Sequence, residues 1–497
     1  MQIRQALAAQ DKTNSIWQSD LSVIYKRIGG VYQEQGKLED ALKSYQQDLQ
    51  IAQTLVAQDK TNSGWQRSLS LSYENVGGVY QAQGKLKDAF KAYQQALQFR
   101  QALAAQDKTN SGWQSDLSVS YERVGGVYLA QGKLDDALNA YQQALQIGQT
   151  LVALDKTNSG WQHNLSANYN EVGNVYLFMG KLEEALQSYQ QGLLIAQTLA
   201  AQDKTNSGWQ RALAANYEKL GFVYQTQGKL EDALKPYQQT LQIVQALASR
   251  DKTNSGWQHD LSVSYDRVGG VYLAQEKFEE ALKFYQQGLL IKQALAAQDK
   301  SNSLWQLDLS GSYIIFGCLY EAQGNLEDAL KFYQQALQIA QTLAAQDKTD
   351  AGWQFTLSVS YERVGVVCQT QGKLEEALKF YQQALQIKQA LVAQDRMNSG
   401  WQRGLAVCYN EVAWLLATAS DPLLRNGSKA IEYATKGCEL VEWKDADFIE
   451  TLAAAYAETK DFNQAIYWEN KYLELKPSDK GGLARLALYQ KGEPCRN

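Results

Sequence analysis

The chain has 497 residues, with 48 basic and 53 acidic side chains and a formal net charge of -5. This balance provides no positive field for a nucleic acid or an anionic membrane surface, so neither is an expected partner. Five cysteines without a C-x-x-C pair, and the lack of an apolar run of signal or membrane-spanning length, predict a soluble cytoplasmic protein with free thiols.

Tryptophan recurs every 48 residues from Trp17 to Trp401, which indicates an array of repeats. Each repeat contains two amphipathic helical patterns. In the repeat that starts near residue 59, apolar side chains of the first pattern recur at helical spacing at Trp65, Leu69, Tyr73, Val76 and Tyr80. The second pattern is carried by Leu86, Ala89, Tyr93, Leu97 and Leu103. The composition and these patterns predict an all-α fold.

The connections between the two patterns contain helix-boundary signals. Gly84, in the phrase QGKL, lies where a helix end needs a residue that tolerates positive φ. Ser63 and Gln66 have the spacing of a capping box, with Ser63 at the N-cap. The recurring phrase DKTNSGWQ is therefore predicted to be a helix start and not a binding motif.

The pattern YxxVGxVYxxQGKLxDALxxYQQAL resembles the tetratricopeptide repeat. The small and large packing residues of that motif correspond here to Gly77, Tyr80, Gly84, Ala89, Tyr93 and Ala96. The resemblance implies a right-handed superhelical solenoid of antiparallel helix pairs. Because the ordinary repeat has about 34 residues, it also implies that both helices are extended by several turns. Arrays of such extended repeats look like those of bacterial multidomain signalling proteins.

In chain order, we expect the second helix of a truncated repeat at 1–10, eight repeats at 11–400 and a divergent ninth at 401–445. A tenth repeat of ordinary length is predicted at 446–478, followed by a capping helix and tail at 479–497. The half repeat at the start leaves an open end, which a missing upstream region, a partner or a second copy of the chain would cover.

We find no sequence pattern for catalysis. The two histidines, His163 and His259, lie two repeats apart and have no cysteine nearby in the sequence. The phrase GGVYQAQGK has the wrong glycine spacing for a phosphate loop, and leucine follows its lysine. Acidic pairs such as Glu39 and Asp40 start the second helices, where they suit the helix dipole. No catalytic residue, cofactor or metal site is predicted.

The resemblance places ligand contacts on the first helices, one, five and eight residues after the aromatic at Tyr73. An acid recurs at the first of these positions and predicts a surface that favours a basic or amide-rich segment; these residues are Glu74, Glu122, Glu218, Asp266 and Glu362. The alternative is that they are solvated helix faces that serve solubility.

One repeat departs from this pattern. In GSYIIFGCLY, Ile314 and Cys318 replace the acid and a glycine, and Ile315 and Phe316 are expected to extend the apolar surface. Leu177, Phe178 and Phe222 are apolar at nearby positions of earlier repeats. Together these residues suggest a partly apolar ligand, such as an amphipathic helix or an extended peptide. The alternative is sequence drift, with Ile314 and Ile315 packed against the neighbouring helix.

Two further anomalies concern the backbone. Pro236 should remove one helical hydrogen bond and bend its helix. Glu276 replaces the glycine of the turn and should cost about 1 kcal/mol if its φ stays positive.

The sequence therefore predicts a non-enzymatic scaffold that binds a peptide or helical segment of a protein partner. The alternative is a regulatory or sensor arm of a bacterial signalling effector whose catalytic domain lies upstream or on another chain. Self-association through the open N-terminal end is a further expectation.

Overall fold

The computed structural model describes residues 2–11 and 13–496, without the side chain of residue 2. These residues form α-helices and one short 3-10 helix, and the described part of the chain contains no strand. The chain divides into two compact units, unit 1 (Met1–Trp257) and unit 2 (Gln258–Asn497). We describe each unit by itself.

Unit 1 contains one single helix followed by five antiparallel helix pairs. The helices are α1 (Gln2–Gln10), α2 (Ser15–Glu34), α3 (Leu38–Gln58), α4 (Ser63–Ala82), α5 (Leu86–Gln106), α6 (Ser111–Ala130), α7 (Leu134–Leu154), α8 (Ser159–Phe178), α9 (Leu182–Gln202), α10 (Ser207–Thr226) and α11 (Leu230–Arg250). The expected bend at Pro236 does not interrupt α11, which continues through that residue.

Unit 2 begins within α12 (Ser255–Ala274) and continues the alternation of first and second helices. The remaining helices are α13 (Phe278–Gln298), α14 (Ser303–Ala322), α15 (Leu326–Gln346), α16 (Ala351–Thr370), α17 (Leu374–Gln394), α18 (Ser399–Thr418), the 3-10 helix Pro422–Leu424, α19 (Gly427–Leu440), α20 (Ala446–Glu458), α21 (Phe462–Leu475) and α22 (Lys480–Gln490). The segment expected to form the capping helix is α22.

The predicted core stripes are buried between the two helices of each repeat. Tyr93 on α5 packs against Gly77 on α4, where an added Cβ would lie 2.7 Å from the Tyr93 ring. Only glycine allows this close approach, because real Cβ atoms do not come so near a neighbouring atom. Val76, Val79 and Ala89 complete the buried layer. The same arrangement recurs at 48-residue intervals in both units.

The phrase DKTNSGWQ forms a structured turn and a helix cap. The carboxylate of Asp59 accepts hydrogen bonds from the backbone N–H and the hydroxyl of Thr61 (2.8 and 2.6 Å). The side chain of Asn62 accepts the backbone N–H of Trp65 at 3.0 Å. Asn62 is therefore the N-cap of α4, and the prediction of Ser63 as the cap is wrong by one residue. The reason is that the asparagine oxygen reaches the free N–H group of the first turn from one residue earlier.

The turn between first and second helices requires positive φ. Gly84 has φ 72°, and its equivalents in the other repeats of this length are also glycines, with one exception. The exception is Glu276 in unit 2, which keeps φ 59°. The left-handed conformation expected at Glu276 is thus present in a residue that has a Cβ atom.

Candidate partner-binding groove

The first helices present one recurring surface, which we call the groove face. It consists of Glu74, Asn75, Gly78, Gln81 and Ala82 on α4 and of the equivalent residues of the other repeats. In unit 1 these side chains line a cavity of about 430 Å³ together with Gln33, Tyr93 and Arg123. Amide groups of Gln33 and Gln81, one tyrosine ring and charged groups therefore meet on this face.

Three of the predicted acidic residues form ion pairs within the protein. The Glu74 carboxylate contacts the guanidinium of Arg100 on α5 at 2.5 Å, and Arg100 is only 4% exposed. In unit 2, Asp266 pairs with the buried Lys292, and Glu362 pairs with the buried Lys388. Each basic residue lies 26 residues after its acid, on the second helix of the same repeat.

The buried basic side chains also bind oxygen atoms of the neighbouring helices. Arg100 donates to the hydroxyls of Ser70 and Ser120 (3.2 and 3.1 Å) and to the carbonyl of Asp116 (2.9 Å). Lys292 donates to the Ser312 hydroxyl at 2.8 Å. These basic residues were missed by sequence reasoning. Their signal is that, among the complete repeats, arginine or lysine occurs at this position only where an acid stands 26 residues earlier.

Two acidic residues in unit 1 lack this buried base. Glu122 has Gly148 at the equivalent position, and Glu218 has Val244. The Glu122 carboxylate accepts a hydrogen bond from the Ser118 hydroxyl at 3.4 Å. Burial raises the pKa of Glu122 to about 7, because the charged form is deprived of water without a cation from α7 to replace it. The binding role of all five acids stays a prediction.

The apolar repeat of unit 2 packs partly into the core. Ile314 has Ala340 where other repeats have arginine or lysine, so an apolar pair replaces the ion pair. Ile314 and Ile315 are both half-buried against core residues of unit 2. Phe316 is 2% exposed and stacks on Phe332 with ring centroids 5.3 Å apart. The expectation that Phe316 extends the exposed apolar surface is therefore wrong, because its side chain points into the helix pair.

Three partly buried residues continue the groove face in unit 2. Cys318, Val366 and Trp414 occupy equivalent positions of successive repeats, at intervals of 48 residues. All three are partly buried and pack against the same core cluster. The Cys318 sulfur accepts a hydrogen bond from the Tyr333 hydroxyl at 3.2 Å. With Ile315 they form what we call the apolar strip.

The two predicted phenylalanines of unit 1 are exposed. Phe178, at the end of α8, is 66% exposed, and Phe222, on α10, is 42% exposed. Phe178 is equivalent to Ala82, which lines the cavity of the groove face, and Phe222 is equivalent to Gly78. The remaining apolar residue of this group, Leu177, is half-buried against a core cluster.

Three buried cysteines have thiols that ionise less readily than a free thiol. Burial raises the pKa of the thiols of Cys368, Cys408 and Cys438, which disfavours the reactive thiolate. His259 is half-buried, and its ring nitrogen lies 2.7 Å from the Asp308 carboxylate. This hydrogen bond raises the pKa of His259. The contact between His259 and Asp308 links two neighbouring first helices. In unit 1 the equivalent link is the ion pair between the Arg67 guanidinium and the Asp116 carboxylate, at 2.5 Å.

The described residues contain neither a metal-binding cluster nor a membrane-spanning helix. No group of three or more histidine, cysteine, aspartate or glutamate side chains there could hold a metal ion. None of the helices described is both long and apolar enough to cross a membrane.

Family models for the tetratricopeptide repeat match most of the repeats. One model matches residues 67–150, 116–198, 210–294 and 260–342, which together exceed half of the chain. Two further models with the same description match residues 358–395 and 25–55. Among curated proteins, none matches the chain.

Several solved structures are similar to the chain at low sequence identity. BtubC (BKLC) from P. vanneervenii is 22% identical, with a TM-score of 0.42 over 52% of this chain and 92% of that chain. A putative kinesin light chain from Podosopora anserina is 19% identical, with a TM-score of 0.35 over 46% of this chain and 96% of that chain. The STAND protein PH0952 from Pyrococcus horikoshii, which has a tetratricopeptide repeat sensor, is 16% identical, with a TM-score of 0.45 over 81% and 55% of the two chains.

Proposed function

The chain belongs to the tetratricopeptide repeat family, and we propose that it is a non-catalytic scaffold that holds a peptide or helical segment of a partner protein on its groove face. The observation that carries the proposal is the apolar strip of unit 2. Its four members are Ile315, Cys318, Val366 and Trp414, and each keeps part of its side chain exposed beside the core.

The apolar strip replaces groups that are polar or absent elsewhere. Ile315 is at the position of Arg123, Arg267 and Arg363, and Cys318 and Val366 are at the position of Gly78. Apolar side chains that recur on one exposed face mark a contact surface, because removing their surface from water when a partner binds lowers the free energy. Covering the exposed part of a half-buried isoleucine contributes roughly 1 to 1.5 kcal/mol. A partner segment with apolar side chains on one side fits this surface.

The test is peptide selection on the purified full chain. A displayed library of random dodecapeptides is selected on the wild type, and the affinity of recovered peptides is measured by fluorescence anisotropy. We expect Ile315→Arg, which introduces the residue of sibling repeats, to weaken binding by about tenfold, in line with the loss of one buried apolar side chain.

The matched control is Leu290→Gln. Leu290 is an exposed leucine on α13 of the same unit, outside the groove face, and its equivalents Gln98 and Gln338 are glutamines. The control should leave affinity unchanged. Equal affinity of wild type and Ile315→Arg, or an equal loss in the control, contradicts the proposal for the apolar strip.

A further inference from the structure

Unit 1 contains one site on its groove face where the charge pattern of the preceding repeat is broken. In that preceding repeat, the Glu74 carboxylate lies between two cations. One oxygen contacts the buried Arg100 at 2.5 Å, and the other accepts from Arg123 on α6 at 3.2 Å. Glu74 is thus neutralised from the core side and from the groove side.

One repeat further along, both cations are missing around Glu122. Gly148 stands at the position of Arg100, and Glu171 stands at the position of Arg123. The Glu122 carboxylate is left with neutral donors, the Ser118 hydroxyl at 3.4 Å and the amide of Asn168. Arg123 lies near enough to attract it, but the Arg123 guanidinium is bound to Glu74. The negative charges of Glu122 and Glu171 repel each other.

Glu171 has partial compensation within the protein. Its carboxylate accepts the Asn174 amide at 3.2 Å, and Lys219 on α10 attracts it. The Lys219 ammonium donates to the carbonyl oxygen of the Asn174 side chain at 3.0 Å. One lysine therefore serves a site that contains two carboxyl groups, and Glu122 receives no cation of its own.

A buried tyrosine ring close to the two carboxyl groups lacks the hydrogen-bond acceptor that its equivalent has in the preceding repeat. In the preceding repeat the Tyr93 hydroxyl donates to Gln81 at 2.9 Å. The equivalent ring, Tyr141, is 4% exposed, and Leu129 replaces the glutamine. Within the described part of the chain, the Tyr141 hydroxyl has no hydrogen-bond partner, and it lies 3.5 Å from where a side chain on Gly126 of the groove face would begin.

The Asn168 side chain shows the same deficit. It is 1% exposed, and its oxygen has no hydrogen-bond donor among the described residues. It occupies the place of Ser120, whose hydroxyl receives a hydrogen bond from Arg100 in the preceding repeat. An amide oxygen without a donor thus stands beside Glu122, where the preceding repeat has a hydroxyl that accepts from a cation.

We propose that Glu122, Glu171 and Tyr141 bind a guanidinium or alkylammonium group, the basic side chain of a partner segment held on the groove face. The exposed rings of Phe178 and Phe222 lie on the next two first helices and would contact an apolar side chain of the same segment. A cation replaces the missing base, satisfies both carboxylates and places a donor beside the tyrosine oxygen. This inference rests on the proposed function, since it assumes a segment in the groove.

The experiment compares peptide selections on the wild type and on two variants that restore the preceding repeat. The first, Gly148→Arg with Asn168→Ser, recreates the buried cation and its serine; a Cβ at Gly148 meets its nearest neighbours at 3.4 Å and fits. The second, Glu171→Arg, recreates the groove cation. The control is Leu154→Gln, an exposed residue at the end of α7 whose equivalents Gln106 and Gln202 are glutamines.

We expect peptides selected on the wild type and on the control to share lysine or arginine at one position, beside an apolar residue. Both restoring variants should lose this enrichment. For one recovered peptide, citrulline in place of arginine should weaken binding to the wild type by about tenfold or more and leave binding to either variant unchanged. The same cation could also come from a small molecule, and the free polyamine spermidine tests this source. If spermidine displaces the bound peptide at a lower concentration than unlabelled peptide does, the site is assigned to a small molecule.

The outcomes separate this inference from the proposed function. Peptides that are recovered without a basic position, or with one that both variants keep, leave the scaffold function standing and overturn the cation site. Recovery of no peptide contradicts both. Assignment of the site to spermidine overturns the peptide part of the proposal.

Discussion

The first three repeats of unit 1 and the apolar strip of unit 2 use the same helical position in opposite ways. Glycine stands at this position in residues 30, 78 and 126, and around Gly78 amide groups, charged groups and the side chain of Tyr93 line a polar cavity. The equivalent residues Cys318, Val366 and Trp414 of unit 2 fill that space with apolar side chains. The packing residues of the two units are nearly the same. The core residues therefore maintain the fold, while the side chains at the groove positions differ between repeats.

A second difference concerns how each repeat treats its acid. Asp266 and Glu362 of unit 2 both have a buried lysine, whereas Glu122 of unit 1 has none. The acids that have a buried lysine are part of ion pairs, whereas Glu122 belongs to the cation site proposed above. The following predictions test this distinction and the other contrasts between repeats.

The largest effect is expected where an ion pair is broken from one side. Arg100→Met should lower the free energy of unfolding by about 3 to 5 kcal/mol, because Glu74 would stay buried beside a neutral side chain. Urea unfolding followed by circular dichroism measures the loss. The double variant Glu74→Gln, Arg100→Met should regain most of it. If Arg100→Met alone were as stable as the double variant, the ion pair between Glu74 and Arg100 would not be a structural element.

Glu122 should respond in the opposite direction. Its folded pKa of about 7 lies above the ordinary value of 4.5, so folding favours the protonated form, and the resulting penalty appears as pH rises from about 4.5 to 7. Glu122→Gln should therefore stabilise the protein by about 2 kcal/mol near pH 8 and have almost no effect near pH 4. Urea unfolding at both pH values provides the measurement.

The control for Glu122→Gln is Glu74→Gln, which should destabilise because it leaves Arg100 without its acid. If both substitutions change stability in the same direction at pH 8, the distinction between paired and unpaired acids fails.

The turn at Glu276 compares the two units at the level of the backbone. Glu276→Gly should stabilise unit 2 by about 1 kcal/mol, because glycine has no Cβ penalty at positive φ. The reverse change in unit 1, Gly228→Glu, should cost a similar amount, since Gly228 has φ 73°. Thermal unfolding of both variants tests whether the two substitutions have opposite effects of similar size. A stabilising effect of Gly228→Glu would contradict this prediction.

The smallest effect is expected at the link between neighbouring first helices. The pKa of His259 is raised by Asp308, so the link stabilises fully below the unfolded pKa of about 6.5 and is lost as pH rises through the higher folded pKa. His259→Gln should cost about 0.5 kcal/mol near pH 5.5 and nothing near pH 9. The equivalent Arg67 of unit 1 gives the comparison, since Arg67→Gln should show no pH dependence in this range.

The fold could be predicted from the sequence because one pattern is repeated many times. The spacing of Trp65, Leu69 and Tyr73 determines a helix face, and the repetition removes the ambiguity that one such pattern would have. The exact helix cap was harder, because Ser63 and Asn62 are both good capping residues and only geometry decides which oxygen reaches the Trp65 N–H.

The candidate site was predicted only in outline. The position of the acids on the first helices followed from the repeat, but their pairing with Arg100, Lys292 and Lys388 depends on contacts between helices. These contacts also explain the substitution at Ile314, because Ala340 takes the place of the base on the second helix of the same repeat. An acid there would have no buried partner. Phe316 was misjudged because adjacent residues of a helix point to different sides.

The Asn110 and Asn158 caps mark the ends of one repeat, and this has a consequence for the gene. Unequal crossing-over between nearly identical coding segments that removed residues 111–158 would join Asn110 to Ser159 and restore the same cap. The ion pair between Glu74 and Arg100 would survive, since both lie in one repeat. Glu171 would then replace Arg123 opposite Glu74. Recombination can thus keep the fold intact while it rewrites the charges of the groove in a single event.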